Sequence, residues 1–371
     1  MVNYNDLRPK AELDKRDCAL VFPDMTEASK KRTIENLFEL KKGLKDEIPD
    51  KRVGSNLLVA SWNLKDFGST KQKLEESFFY IAEIINSFDL VAIQELNANL
   101  SYFKKLIRLL GDNWGYMIND VTEGDAGNDE RSAYLYNKNR VDLGGLAGEV
   151  VLWKDLTGND SLQQLKRTPF MTGFKTGWKT FAIINLHLHP GNNDDDIELR
   201  KKEVAYLLEA LKEKKDKKRL WTENLIIIGD MNLYYDDDDE TVALFNNANY
   251  REVESLIGVD TTVAQSTSEA YDRFFIADND YFQIIKNDQG KENGGVFDPF
   301  KYVLKLGDES IYKESMLEVY GGEKDMTIPE NYTKYYKNYW RKNQISDHYP
   351  IWFELNIDSS QEFLIDKLNR L

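Results

Sequence analysis

Hydrophobic positions follow two alternating spacings from residue 57 onward. Short apolar runs, such as Leu57 to Trp62 and Leu90 to Gln94, are typical of buried strands. Similar runs predict strands at Phe181 to Leu186, Leu225 to Gly229, Phe274 to Ala277 and Ile351 to Leu355. Between the runs, apolar residues at helical spacing predict amphipathic helices, marked by Leu74, Phe78, Ile81 and Ile85, by Leu100, Phe103, Leu106, Ile107 and Leu110, and by Val204, Leu207, Leu208 and Leu211. This alternation predicts one α/β domain around a large sheet core.

The segment before the first strand is charged and helical in pattern. An apolar stripe at Ile34, Leu37, Phe38 and Leu44 follows a candidate helix cap at Thr26. We interpret it as a helical extension packed on the main domain. The predicted organisation is a helical extension over residues 1–54, the main domain over 55–357 and a tail over 358–371.

Composition and charge restrict the functional classes. Hydrophobic residues make up 41% of the 371 residues, which excludes a disordered chain. The formal net charge of −15 opposes tight neutralisation of a long phosphate backbone and favours a site where metal ions supply positive charge locally. With a single cysteine, Cys18, no intramolecular disulfide can form. No apolar run approaches a membrane span, so we expect a cytoplasmic protein. The sequence identifies no protein partner.

Two acidic runs resemble metal sites only superficially. Asp194 to Asp196 and Asp236 to Asp239 follow strand ends and lack an ordered ligand spacing. We therefore predict that both are solvated loops.

Polar residues recur at five strand ends, where ligand sites collect in α/β sheets. A single Asp or Asn at such a place is usually a turn former. Five strand ends that carry Asn, Glu, His and Asp are difficult to explain by turns alone. The motifs are Ala60-Ser-Trp-Asn63, Ala92-Ile-Gln-Glu95, Asn185-Leu-His187-Leu-His189, Gly229-Asp-Met-Asn232 and Ser346-Asp-His348.

These residue types suit the hydrolysis of a phosphate ester. Glu95 and Asp347 offer the hard oxygen ligands that Mg²⁺ prefers. All three histidines of the chain lie in the motifs; His187 and His348 are candidates for proton exchange, whereas His189 favours a structural role. Asp230 can orient or deprotonate a water. Amide donors to phosphoryl oxygens are available from Asn63 and Asn232.

Four of the motifs together resemble the signature set of the endonuclease/exonuclease/phosphatase superfamily. They are Ser61-Trp-Asn-Leu, Ile93-Gln-Glu95, Gly229-Asp-Met-Asn232 and Ser346-Asp-His348, in that family's order. The resemblance implies a four-layer α/β/β/α sandwich with the site at one edge of two packed sheets. It also implies water attack on phosphorus, assisted by Mg²⁺ or Mn²⁺ at Glu95, with Asp347 and Asn63 in the ligand set.

Further segments resemble the deoxyribonuclease I branch of that superfamily. They are Glu130-Arg131 before Tyr134-Leu-Tyr136, and Ala270-Tyr-Asp-Arg273. The resemblance implies that Glu130 orients His187 and that Asp272 orients His348. It also gives Arg167 a contact with the substrate phosphate. The plain alternative for both carboxylates is an ordinary salt bridge with a nearby arginine.

One departure from that branch concerns the substrate. Deoxyribonuclease I carries an arginine that enters the minor groove where this chain has Asn97. The shorter amide side chain cannot replace that cationic reach. We therefore expect phosphoesterase chemistry but poor activity on duplex DNA.

Three functions stay open from the sequence. The first, which we favour, is a metal-dependent phosphodiester hydrolase, an endo- or exonuclease that acts on nucleic acid or on another phosphodiester. The second is a phosphomonoesterase acting on a lipid or sugar phosphate, and the third is a catalytically inactive binding module. Intact motifs argue against the third, while Glu130 and Asp272 favour the first over the second.

An aromatic segment near the C-terminus has no role in this resemblance. Its aromatic residues sit at helical spacing, interleaved with Lys334, Lys337, Arg341 and Lys342. Such a face can stack bases and hold phosphates. The more common outcome is an aromatic core stripe with its lysines on the solvent side. The aromatic residues are Tyr332, Tyr335, Tyr336, Tyr339 and Trp340.

Overall fold

The computed structural model contains two mixed β-sheets packed face to face and covered by helices. Cys18, Asp236 and Asp237 lie outside the residues that it describes. Those residues are 1–13, 20–69, 72–121, 129–158, 160, 162–234, 238–263 and 269–371.

The first sheet is built around a parallel pair of strands. β1 (Asn56–Phe67) runs parallel to β2 (Leu90–Asn97) and antiparallel to β12 (Ile351–Asn356). Its other strands are β3 (Trp114–Ile118), β4 (Glu130–Asn137) and β11 (Gly294–Val296), in the order β11-β12-β1-β2-β4-β3.

The second sheet has a parallel pair at the equivalent place. β7 (Lys179–His187) runs parallel to β8 (Leu225–Asp230), which pairs antiparallel with β10 (Asp272–Ala277). The remaining strands are β5 (Asp142–Glu149), β6 (Phe170–Thr176) and β9 (Tyr250–Glu252), in the order β5-β6-β7-β8-β10-β9.

Side-chain alternation along the strands creates the layers. Leu57 and Val59 face the second sheet, whereas Leu58 and Ala60 face helices on the outside. Because both faces of these strands are buried, the strands appear in the sequence as continuous apolar runs. The four-layer α/β/β/α sandwich is therefore confirmed. The outer helices are α1 (Glu27–Glu47), α2 (Glu75–Asn86) and α3 (Ser101–Leu110) on sheet one, and α4 (Lys154–Thr157), α5 (Asp194–Asp216) and α6 (Asp239–Asn247) on sheet two.

The N-terminal helix begins at the expected cap. The Thr26 hydroxyl accepts a hydrogen bond from the Ser29 N–H. Leu37 and Leu44 are buried, but the prediction for Phe38 is wrong, because its side chain is 69% exposed. Successive helix residues point about 100° apart, so Phe38 turns away from the face that Leu37 buries.

Helix α1 packs on helix α2 through polar contacts as well as apolar ones. Arg32 forms an ion pair with the buried Glu76, and Asn36 donates to the Tyr80 hydroxyl. The extension is thus part of the outer layer on sheet one, while the domain boundary at residue 54 stays a prediction.

The prediction of solvated loops is wrong in part for the described residues of the two acidic runs, because Asp194 and Asp195 are exposed but helical and Asp238 is buried. Asp194 to Asp196 form the first turn of α5, where negative charges are stabilised by the helix N-terminus. Asp238 is buried and pairs with the buried guanidinium of Arg200 at 2.8 Å. Net charge and spacing did not reveal this ion pair because Arg200 lies 38 residues from Asp238 in the sequence.

The aromatic segment divides between core and surface. Tyr336 and Trp340 are buried within a π-helical turn that spans Tyr336–Trp340, while Tyr339 is 56% exposed. The core interpretation therefore holds for these two residues, and Tyr332 and Tyr335 pack, partly buried, against the same core. The expectation of solvent-facing lysines holds for the exposed Lys334 and Lys337 and is wrong for Lys342, which is buried.

Short helices complete the described chain. The predicted tail contains helix α10 (Ser360–Arg370), and no helix among the described residues is long and apolar enough to cross a membrane. The remaining α-helices of the described residues are α7 (Lys313–Val319), α8 (Pro329–Tyr335) and α9 (Arg341–Gln344).

Candidate active site

The predicted site residues converge at one edge of the sandwich. Asn63 lies on β1 and Glu95 on β2, and both strands end at the same edge because they are parallel. His187 and Asp230 end the parallel strands β7 and β8, in register with each other. Packing of the two sheets therefore brings residues from four strand ends together.

The backbone bends sharply where these residues lie. β1 bulges against β2 between Asn63 and Phe67. On β1 and β2, three non-glycine residues of this region adopt left-handed backbone angles, Lys65 (φ 48°), Asp66 (φ 45°) and Glu95 (φ 59°). Such conformations typically cost about 1–3 kcal/mol each and cluster at functional sites.

A glycine is required before Asp230. Gly229 has φ 138°, and a Cβ there would lie 2.0 Å from the Leu186 carbonyl oxygen. The close approach of β7 and β8 at this point places Asp230 directly beside His187.

Asp230 is the centre of the polar cluster. Its Oδ1 accepts from the Asn232 backbone N–H at 3.0 Å, and its Oδ2 accepts from Asn63 Nδ2 at 2.9 Å. The Nε2 atoms of His187 and His348 lie 3.7 and 3.6 Å from the same Oδ2. The carboxylate is thus surrounded by donors and is almost completely buried.

His187 is oriented by a carboxylate from the opposite sheet. Its Nδ1 lies 3.0 Å from Glu130 Oε2, on β4. Arg167 donates to the same carboxylate, at 3.0 Å from Nε, and to the Leu188 carbonyl. Glu130 therefore contacts the histidine and also forms a salt bridge with the arginine, so the two interpretations of this residue do not exclude each other. Arg167 uses these donors for Glu130 and Leu188, and its contact with the substrate phosphate stays a prediction.

His348 has an equivalent partner in sheet two. Its Nδ1 lies 2.8 Å from Asp272 Oδ2, which also accepts from the Thr261 hydroxyl. Trp62 Nε1 donates to the His348 carbonyl, and the Ser346 hydroxyl bridges the Asn63 carbonyl and the His348 N–H. These bonds fix the loop before β12 against β1.

Charges in the cluster stabilise protonated imidazoles. Burial lowers the pKa of both histidines, but the carboxylates outweigh it. The pKa of His187 is raised through Glu130 and Asp230, and that of His348 is raised well above its usual range through Asp272 and Asp230. Burial would raise the pKa of Asp230, yet the positive charges of the two histidines hold it below its ordinary value.

A divalent cation fits the donor set at this edge. One ligand atom from each of Glu95, His187 and Asp230 lies within 4.8 Å of the others. Carboxylate oxygens are hard ligands of the kind that Mg²⁺ and Mn²⁺ take. Asn63 Nδ2 donates to Glu95 Oε1 at 2.6 Å, so this side chain lies beside the cluster and positions its carboxylates.

Two further predicted residues have contacts that the sequence did not reveal. Asp347 forms an ion pair with the Lys65 ammonium. Asn232 donates from Nδ2 to the Leu188 carbonyl at 3.0 Å, so in this structure the amide braces the loop after β7. The structure thus gathers all ten predicted site residues around one edge, and their individual roles stay predictions. They are Asn63, Glu95, Glu130, Arg167, His187, Asp230, Asn232, Asp272, Asp347 and His348.

Sequence reasoning missed a buried amide bridge between the sheets. Gln94 Nε2 donates to Asn185 Oδ1 at 2.7 Å, and Asn185 Nδ2 donates to the Ile93 carbonyl at 3.0 Å. Both amides lie in the strand-end motifs, next to Glu95 and two residues before His187. Their place within otherwise apolar strands was the available signal, since a buried amide requires a partner.

His189 belongs to a different contact. Its Nε2 lies 2.9 Å from Asp196 Oδ1, in the first turn of α5, and its backbone N–H donates to Glu203. These contacts agree with the structural role expected from the sequence.

Comparison with characterised proteins gives moderate sequence similarity to two nucleases. The chain is 29% identical over 271 residues to deoxyribonuclease gamma of Rattus norvegicus, covering 68% of this chain and 80% of that protein. It is 28% identical over 240 residues to deoxyribonuclease-1 of Bos taurus, covering 61% and 79%. No protein-family model matches the chain.

Solved structures share the fold. An endonuclease/exonuclease/phosphatase family protein from Bacteroides thetaiotaomicron superposes with a TM-score of 0.51 at 19% identity. The match covers 82% of this chain and 99% of that one. At this identity the likeness bears on the fold and not on the substrate.

Proposed function

We propose that this chain is a metal-dependent phosphodiester hydrolase of the deoxyribonuclease I-like branch of the endonuclease/exonuclease/phosphatase superfamily, which its sequence relatives and its fold support. One observation carries this proposal. Two histidine–carboxylate pairs direct their free Nε2 atoms at Asp230, 3.7 and 3.6 Å away, beside Glu95. An inactive binding module has no need of two such pairs.

The proposed metal site is centred on Glu95. A bound Mg²⁺ or Mn²⁺ supplies positive charge to the phosphoryl oxygens as negative charge develops there. Glu95 is the proposed direct ligand, with Asn63 and Asp347 around it. Asn63 also holds Glu95 and Asp230 at a fixed separation through hydrogen bonds of 2.6 and 2.9 Å.

The protein's own groups handle the protons. Asp230 accepts hydrogen bonds at both oxygens and can orient a water for attack on phosphorus. Each imidazole uses Nδ1 for its carboxylate, which leaves Nε2 to exchange a proton with the water or the leaving oxygen. Glu130 and Asp272 fix the ring orientation and stabilise the imidazolium forms.

We propose nucleic acid, in single-stranded or short form, as the substrate class. Deoxyribonucleases are the sequence relatives, which supports a nucleic-acid phosphodiester. Asn97 uses its side-chain oxygen to accept from the Asn99 N–H, so it closes a turn and offers no cation to a groove. Since the net charge is −15, a long duplex gains little from backbone contacts.

A substrate panel with Mg²⁺ or Mn²⁺ tests this function. It comprises supercoiled plasmid, single-stranded DNA, RNA, bis-(p-nitrophenyl) phosphate and p-nitrophenyl phosphate. We expect cleavage of the diesters, faster on single strands than on plasmid. Preference for p-nitrophenyl phosphate would indicate a phosphomonoesterase, and efficient plasmid nicking at physiological salt would refute the substrate argument from Asn97 and charge.

A further inference from the structure

Glu95 and Asp347 have different partners, although the sequence places both in the metal ligand set. Glu95 accepts from neutral donors, Asn63 Nδ2 at 2.6 Å and the Asp66 backbone N–H at 2.9 Å. Asp347 instead pairs with the Lys65 ammonium. The Lys342 ammonium donates to the Val263 carbonyl at 2.6 Å; burial lowers the pKa of this lysine, and the charge of Asp347 acts in the opposite direction. The Lys65 side chain therefore already compensates one of the two carboxylates.

The position of Lys65 is built by the site itself. Its backbone N–H donates to Asn63 Oδ1 at 2.9 Å, and the next N–H, that of Asp66, donates to Glu95 Oε2. Both residues are in the left-handed region, with φ of 48° and 45°. The turn that projects Lys65 is thus fixed by the same side chains that surround the proposed metal position.

The ammonium is accessible as well as anchored. The Lys65 side chain is 24% exposed and that of Asp347 30% exposed. A lysine ammonium has three N–H donors, so a bond to Asp347 leaves two for another acceptor. Asp347 immediately precedes His348 and is one of the carboxylates that raise the pKa of this histidine, so a phosphoryl group at the His348 side of the cluster would meet the Lys65 ammonium.

We propose, on the basis of the proposed function, that Lys65 takes the place of a second metal ion. One divalent cation binds at Glu95, and the Lys65 ammonium, held by Asp347, supplies the second positive charge to a phosphoryl oxygen. Two-metal sites use a pair of ions about 3.5–4 Å apart to stabilise the attacking and leaving oxygens. A second ion at Asp347 would have to displace one ammonium and approach the other against Coulomb repulsion.

Counting bound Mn²⁺ tests this inference without any measurement of activity. Calorimetric titration and electron paramagnetic resonance should give one Mn²⁺ per wild-type chain, with no spin-coupled pair. Lys65→Asp replaces the ammonium by a carboxylate next to Asp347, so it should bind two ions and show spin coupling. Two coupled ions in the wild type, or only one ion in Lys65→Asp when its thermal melt is unchanged, would overturn the proposal.

Steady-state kinetics on bis-(p-nitrophenyl) phosphate give the second test. Lys65→Met should lower kcat by about 10²-fold, as expected when a donor to the developing charge is removed, with a smaller change in KM. Lys65→Arg keeps the positive charge and should recover much of that loss. Lys175→Met, at an exposed position on the far half of β6, is the matched control and should behave as the wild type.

Failure of the Lys65 inference and failure of the proposed function give different experimental results. If the kcat of Lys65→Met stays within about twofold of the wild-type value, the ammonium does not contact the reacting group, and the inference is wrong. If the wild type cleaves no diester, the proposed function falls, while the Mn²⁺ count still decides whether Lys65 excludes a second ion.

Discussion

The two histidine–carboxylate pairs of the site are built alike but have different surroundings. Glu130 of sheet one holds His187 of sheet two, and Asp272 of sheet two holds His348, which precedes a strand of sheet one. Each pair therefore crosses the interface between the sheets. Both present Nε2 to the same oxygen of Asp230.

The difference lies in what surrounds each carboxylate. Glu130 shares its charge with the Arg167 guanidinium and is 11% exposed. Asp272 is fully buried and accepts from a neutral hydroxyl, that of Thr261. An imidazole obtains less stabilisation from a carboxylate that an arginine already neutralises. His348 should therefore depend on Asp272 more strongly than His187 depends on Glu130.

Removal of the metal should have the largest effect, because both pairs act on one shared position. Excess EDTA should reduce diester hydrolysis to background, and added Mn²⁺ or Mg²⁺ should restore it. Glu95→Ala should raise the metal concentration that gives half-maximal rate, whereas Glu318→Ala, an exposed control on helix α7, should not. Full activity in excess EDTA would contradict the metal assignment.

Truncation of either histidine should have the second-largest effect. His187→Ala and His348→Ala should each lower kcat by about 10²-fold or more, since each removes a positioned proton-transfer group. The double variant should lose much less than the product of the two losses, because the pair acts as a unit. Circular dichroism checks folding. A single variant with near-normal turnover would assign that histidine a structural role.

Neutralising the two carboxylates tests the asymmetry directly. Asp272→Asn should lower kcat by about 10²-fold, since the amide can no longer stabilise the imidazolium or fix the tautomer of His348. Glu130→Gln should cost only about tenfold, because Arg167 already offsets that charge. Measuring kcat for both variants tests whether the two pairs differ. An equal loss of kcat in the two variants would show that they do not.

The smallest effect concerns Arg167. Glu130→Gln leaves this buried guanidinium without its carboxylate, so we expect a lower melting temperature. Adding Arg167→Met removes the uncompensated charge and should restore most of the stability, with kcat close to that of Glu130→Gln, because a side chain that does not touch the substrate makes no transition-state interaction to lose. If the double variant loses kcat by about 10²-fold relative to Glu130→Gln, Arg167 contacts the substrate phosphate, as the sequence resemblance implies.

Much of the fold was predictable because strands buried on both faces leave continuous apolar runs. Leu57 to Trp62 and Leu225 to Gly229 both lie within observed strands. Predictions failed where a side chain's partner is distant in sequence. Asp238 reads as part of a solvated run, but its partner Arg200 lies on a neighbouring helix. Local pattern contains no information on such a pair.

The sequence by itself determined the chemical inventory of the site, since residues such as Asn63, Glu95 and Asp230 stand at strand ends in recognisable motifs. Only the tertiary structure decided which of these side chains contact one another. The packing of two sheets sets which carboxylate meets which histidine, and the bulge after Asn63 sets Lys65 against Asp347. These contacts join residues up to 282 positions apart, so they depend on the packing of whole layers and not on any local pattern.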